Sequence, residues 1–174
     1  AAGVGTARIE GLLPEGTRVV RVMPNTPMQV GRGVAAVTRG RHARAEDIRR
    51  TLAIFGAGGT AVHVEDEELL HVVTALSGSG PAYVFRFIEA LEAAAAQLGL
   101  PGPMARAMAT GTVLGAAELA LQSGETPARL REKVTSPGGT TAAALESLEA
   151  DNFMSVIRRA VQAAHDRSEE LGRG

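Results

Sequence analysis

Apolar and polar positions change rhythm twice in the first third of the chain. TRVVRVMP (17–24) and GVAAVT (33–38) are short β-branched runs bounded by Pro and Gly, which predicts two strands. AEDIRRTLAIFG (45–56) sets Ile48, Leu52 and Phe55 at helical spacing, and AVHV (61–64) returns to a strand. The pattern is α/β, with too few strands to close a stable sheet of their own.

After Val64 the rhythm is helical only. EDEE (65–68) puts carboxylates in the first turn of a helix expected to run through Leu76. Gly80-Pro81 starts a second helix that Gly99 stops, and Pro103 a third that reaches about Ser123 before Gly124. A short helix follows Thr126-Pro127, another follows VTSPGG (134–139), and the last runs from Asp151 as N-cap to about Leu171. These features predict a mixed α/β plus all-α chain, mainly helical, divided near residue 65 into segments 1–65 and 66–174. Gly111 and Gly115 lie four apart on one face beside Ala-rich turns, a spacing that lets helix backbones cross closely within or between subunits.

Composition narrows the classes. The 174 residues carry 18 basic against 19 acidic side chains, so no overall positive field draws the chain to nucleic acid or an anionic membrane. Cysteine is absent, which removes disulfides, thiolate catalysis and Cys-ligated metal, and is consistent with a reducing compartment. Ser-Gly-Ser-Gly-Pro interrupts the apolar stretch 69–85, so it does not read as a membrane helix. The N-terminus has neither Met nor the basic and apolar regions of a signal peptide, and reads as a chain entered in mid-domain.

Few constellations carry chemistry. GAGGTA (56–61) has the letters of a dinucleotide fingerprint, but a helix precedes it and a strand follows, so it reads as a helix-ending turn. RGRHARAEDIRR (39–50) reads as a solvated face. His42, His63, His71 and His165 are scattered and no carboxylates fall at ligand spacing, so no metal is expected. SGSGP (77–81) fits an anion-holding helix start and a plain turn equally. VTSPGGTTAAALESLEA (134–150) is richer: Gly138-Gly139 can form a concave set of N–H groups, and Thr140 or Thr141 is expected to cap the helix beyond. A carboxylate suits that geometry. The helix dipole contributes about 0.3–1 kcal/mol near a surface, against roughly 1.5–3 kcal/mol for each hydrogen bond to a charged group, so direct contacts would dominate.

SGSGPAYVFRFIEAL (77–91), VTSPGGTTAAALESLE (134–149) and RVMPNTP (21–27) resemble, in order and spacing, hallmark segments of the Δ1-pyrroline-5-carboxylate reductases, the last enzymes of proline synthesis. The resemblance implies the end of a Rossmann-like NAD(P)-binding domain over 1–65, then an all-helical dimerisation and substrate-binding domain over 66–174. It implies NADPH or NADH as cofactor, cytoplasmic location, and a homodimer that assembles further, up to a homodecamer. The dinucleotide fingerprint and its strands would precede Ala1, so the chain alone is expected to be an incomplete, inactive enzyme.

By the same resemblance the loop Ser136 to Thr141 receives the carboxylate of pyrroline-5-carboxylate or proline. Ser136, Gly138, Gly139, Thr140 and Thr141 line it, and the Thr141 hydroxyl lies near the ring nitrogen as the catalytic group. Glu67 matches a further position lining the proline site. Ala1, Ala2 and Gly3 match a strand end beside the nicotinamide, and Pro24 and Asn25 lie near the same ring. Lys133 stands where some members place an Asn that touches the cofactor, a departure that bears on its role. Two other readings stay open: a helical oligomerisation module without activity, and a related Rossmann-plus-helical dehydrogenase of another small carboxylic acid.

Overall fold

The computed structural model describes residues 3–173. Its sheet has three strands in the order β1-β2-β3: β1 (Val20–Pro24), β2 (Gly33–Arg39) and β3 (Gly59–His63). β1 runs antiparallel to β2, with Arg21 opposite Thr38, and β3 runs parallel to β2, with Gly33 opposite Gly59. Ala35, Ala36, Val37 and Thr38 are fully buried, so both faces of the central strand are covered. Local signals explain the connections. Pro27 opens a 3-10 turn over Thr26–Val30 that Gly31 ends at φ 71°. Between β2 and β3 lies the amphipathic helix α2 (Ala45–Gly56), which buries Ile48 and whose Asp47 carboxylate accepts from the Arg44 amide at 2.8 Å.

The helices are α1 (Thr6–Glu10), α3 (Leu69–Val73), α4 (Gly80–Gln97), α5 (Gly102–Ser123), α6 (Pro127–Lys133), α7 (Thr140–Ala150) and α8 (Phe153–Arg173). The chain is thus mainly helical with a small mixed sheet, the class its periodicity predicts. By contact density, the chain through Ala82 together with that from Arg158 onward forms one compact unit, and Tyr83–Ile157 forms another.

In the first unit the sheet is joined by α3 and most of α8. Fully buried Leu70 anchors α3, and His71 Nδ1 lies 2.8 Å from Ser168 Oγ on α8. The EDEE carboxylates do not open this helix as expected, because helical hydrogen bonding is regular only from Leu69; residues 65–68 form the turn before it. Nor does SGSG break the helix. Thr74–Gly78 widens into a π turn, with the Ser79 amide reaching Thr74 O at 2.8 Å, and α4 follows within two residues.

The second unit is thinly buried for its composition. Along the 18 residues of α4 none is buried, with Val84, Phe85 and Phe87 each more than two-fifths exposed, and α5 buries only Ala105 and Ala109. Gly111 and Gly115 meet nothing within 4 Å of a would-be Cβ, so no close helix crossing within the described residues uses them. Asp151 is not the N-cap of α8. It ends α7, and Asn152 turns the chain at φ 54°, a left-handed conformation that Asn tolerates.

Thr126 caps α6, accepting from the Arg129 amide at 3.3 Å ahead of Pro127 at the first helical position. Thr126→Ala is expected to lower the stability of the second unit by about 1 kcal/mol, read as a fall in its urea midpoint with an unchanged slope.

Candidate functional site

The residues singled out by sequence fall into two groups, one in each compact unit.

In the first unit the acidic turn before α3 and an inward-facing arginine determine the arrangement. Arg21 shares the parity of Met23 on β1 and of buried Val19 just before it, so the strand carries its guanidinium inward, where its side chain is 5% exposed. Glu67 meets it: Oε1 accepts from Arg21 Nη1 at 2.8 Å and from the Thr6 amide at 2.7 Å, and Oε2 accepts from Thr6 Oγ1 at 2.6 Å. Burial raises the Glu67 pKa, but the bonds from Thr6 and Arg21 together outweigh it and hold the carboxyl below the usual glutamate range. Glu67 is therefore an ionised, fully engaged group that ties α1, β1 and the start of α3 together.

An open cavity of about 290 Å³ lies beside this cluster, with Gly3, Gly5, Arg21, Glu67 and His71 on its wall. Gly3, at φ 76°, lies against the last turn of α8, where a Cβ would come within 2.8 Å of the Leu171 Cβ; only glycine fits that conformation and that approach. Ala1 and Ala2 lie outside the described residues.

Pro24 closes β1 and is exposed. The Asn25 side chain is engaged at both ends. Its Oδ1 accepts from the Val34 amide at 2.8 Å, and its Nδ2 donates to Ser77 O in the π turn at 3.1 Å. Of the two residues, Pro24 is the exposed one. GAGGTA joins α2 to β3, so no helix start faces a pyrophosphate there.

In the second unit the turn before α7 has the shape its glycines predict. Gly138 sits at φ 67°, and the Gly139 amide donates to Ser136 O at 3.0 Å, folding the turn tightly enough that a Cβ on Gly139 would collide with the Ser136 hydroxyl. The first bond of α7 runs from Ala143 N–H to Gly139 O, so the amides of Thr140, Thr141 and Ala142 precede it and have no partner in their own helix.

Neither threonine caps α7. The cap position is Gly139, in extended conformation, which places Thr140 and Thr141 inside the first turn, past the position from which they were expected to cap. Among the described residues their hydroxyls have no partner, with Thr140 exposed and Thr141 half-buried. The unpartnered amides and two hydroxyls make a donor-rich end suited to a carboxylate. Lys133, at the end of α6, is held in an ion pair with Glu125 at 2.6 Å.

Sequence reasoning missed Arg21 and Thr6. A charged residue at inward parity between Val19 and Met23 was the available signal, since such a group requires a carboxylate partner.

A profile described as pyrroline-5-carboxylate reductase dimerisation matches residues 67–171. The pyrroline-5-carboxylate reductase of Methanosarcina acetivorans is 46% identical over 173 residues, covering 99% of this chain and 64% of that protein. That of Corynebacterium melassecola is 43% identical with the same coverage. Among solved structures, a pyrroline-5-carboxylate reductase from Coxiella burnetii aligns with a TM-score of 0.94 at 41% identity, over 98% of this chain and 63% of that one. The Plasmodium falciparum pyrroline carboxylate reductase with NADP bound aligns at 0.90 and 32% identity, over 98% of this chain and 65% of that one. The chain thus spans a little under two thirds of the length of these relatives.

Proposed function

The chain belongs to the pyrroline-5-carboxylate reductase family, and from that premise we propose that it takes part in the NAD(P)H-dependent reduction of Δ1-pyrroline-5-carboxylate to L-proline in the cytoplasm. The observation that carries this reading is the turn Ser136–Thr141, whose left-handed Gly138 and unpartnered helix-start amides present donors for a carboxylate. Residues 1–65 act as the end of a nucleotide-binding domain and 66–174 as the substrate-binding and dimerisation part. The start of the family match at residue 67 supports that functional division.

When bound, a reduced nicotinamide would supply a hydride to the C=N carbon of a pyrroline ring whose nitrogen already carries a proton, giving the ring amine of proline. This chain's residues hold the substrate for it. The turn takes the carboxylate, and the Thr141 hydroxyl, with no partner among the described residues, bonds the ring nitrogen and sets the ring's orientation. Glu67 contributes through the fold, because its carboxylate is paired with Arg21 and hydrogen-bonded by Thr6; it positions α1 and α3 beside the Gly3 segment. On the nicotinamide side, Gly3 and Pro24 are the contact candidates. Lys133, paired with Glu125, acts there only when that exposed pair opens.

Thr141→Val in a reductase carrying this chain behind a complete nucleotide-binding fold should lower kcat/KM about 10- to 100-fold, the value of one hydrogen bond to a charged group. Its thermal midpoint should stay within about 2 °C. An unchanged kcat/KM removes the hydroxyl from the reaction. Turnover of an open-chain β-hydroxy acid in place of pyrroline-5-carboxylate would assign the chain to a different dehydrogenase.

A dimer of this chain is the second part of the proposal. α4 buries none of its residues, and the faces of α4 and α5 carry Val84, Phe85, Phe87, Met104, Met108 and Leu114 exposed, more apolar surface than a solvated helix pair retains. The glycines 111 and 115 open the same helix to close approach by a second copy. Sedimentation at micromolar concentration should show a dimer, and a monomer would defeat this part.

A further inference from the structure

We infer that Asn25 is a positioning residue: it supplies the hydrogen-bond donor that Pro81 withholds from the Ser77 carbonyl, and so locks the exposed tip at Pro24 to the π turn. In a regular helix the carbonyl of Ser77 would accept from the amide four residues on. That residue is Pro81, which has no N–H. The next amide, that of Ala82, bonds Ser79 O at 3.0 Å, and the Ser79 amide reaches back to Thr74 O. The Ser77 carbonyl is thereby left over, and Asn25 Nδ2 meets it at 3.1 Å.

The other end of the same side chain is equally committed. Asn25 Oδ1 accepts from the Val34 amide at 2.8 Å, and the Asn25 amide donates to Val34 O at 3.1 Å, so the residue closes the β1–β2 ladder while it spans to the helix. A second contact joins the same two segments. Met23 Cε would stand 2.5 Å from a Cβ on Gly78, so the Met23 side chain of β1 packs against the π turn there.

MPNTP and SGSGP, 52 residues apart at the Asn25–Ser77 bond, are thus one rigid element. This gives Asn25 a different task from bonding the nucleotide. With both amide atoms occupied inside the fold, it holds the Pro24 tip still, and a loop held still orients a ring lying against it. The inference rests on the reductase reading for its consequence, but its structural half stands without it.

Asn25→Asp isolates the contact, because the aspartate keeps an acceptor for Val34 and places a carboxylate against the Ser77 carbonyl. In this chain the substitution should raise the unfolding equilibrium constant about tenfold. In the Pro81→Ala background, where Ser77 gains a helical N–H, the same substitution should cost threefold or less. Equal costs in the two backgrounds overturn the inference. Amide exchange gives a check that needs no double variant: Asn25→Asp should speed exchange at Ser79 at least tenfold while Val34 stays protected, and an unchanged Ser79 overturns it. In a reductase carrying this chain, Asn25→Asp should lower kcat about tenfold with the KM for the dinucleotide within about threefold. An unchanged kcat overturns the positioning role. If the unsubstituted enzyme fails to reduce the pyrroline, the proposed function fails and the lock, read by exchange, does not.

Discussion

Gly59→Ala is expected to destabilise the first compact unit by about 4 kcal/mol, the largest effect of any single methyl added to this chain. Two costs add at this position. Gly59 begins β3 at φ 146°, a conformation that L side chains rarely adopt. Its Cβ would also collide with the Gly33 carbonyl oxygen and stand 2.5 Å from the Gly33 nitrogen, backbone atoms that cannot move aside without breaking the start of the β2–β3 ladder. The control lies three residues away. Gly56 ends α2 with open space where its Cβ would be, so Gly56→Ala should be neutral or stabilising by up to about 1 kcal/mol. Urea unfolding of the two variants separates the effects. A Gly59→Ala chain as stable as the parent would mean that the approach of β3 to β2 is looser than described.

Arg21→Met should cost about 2–3 kcal/mol at pH 7, with a pH dependence that identifies its cause. Removing one partner of a buried ion pair leaves the other charged and uncompensated, which typically costs 3–5 kcal/mol; Glu67 keeps 28% of its side chain exposed, which moderates the loss. Methionine replaces most of the arginine stem, so little packing is lost. Glu67 has a folded pKa below its unfolded value. The stability it contributes is therefore present above the ordinary glutamate range, about 4.3, and is lost as pH falls through the lower folded value. The difference between parent and variant should accordingly shrink below about pH 4 and approach zero once Glu67 is protonated. It can reverse there, because Arg21 is then a buried cation whose Nη2 already has no hydrogen-bond partner among the described residues. A difference that stays constant from pH 7 to pH 3 would show that Arg21 acts through packing alone.

The periodic strands, the helix after Thr126-Pro127 and the glycine turn at Gly138 were legible because each depends on residues a few positions apart. The same holds for GAGGTA, where a helix ends and a strand begins. The misreadings share a cause in competition between neighbours. Thr140 and Thr141 are good caps by type, but Gly139 takes the cap position and draws both into the first turn. Asp151 is a good N-cap by type, but the reversal at Asn152 assigns it to the end of α7. SGSG looks like a break, yet its backbone goes on turning, because a π turn and an outside donor satisfy the carbonyls that Pro81 strands.

In the candidate site, the sequence shows the glycine turn before α7 but not the ion pair of Glu67, which depends on a cation 46 residues away. What the sequence by itself determined is the class of the strands and of the long helices, the apolar side chains that α4 and α5 carry, and the shape of the turn at Gly138. What only the tertiary structure decided is which polar groups meet: Arg21 with Glu67, Asn25 with Ser77, His71 with Ser168 across 97 residues. Local periodicity is written into backbone preferences that each residue carries with it. A long-range hydrogen bond depends on strand register and helix packing together, and no spacing along the chain encodes those until the core has closed.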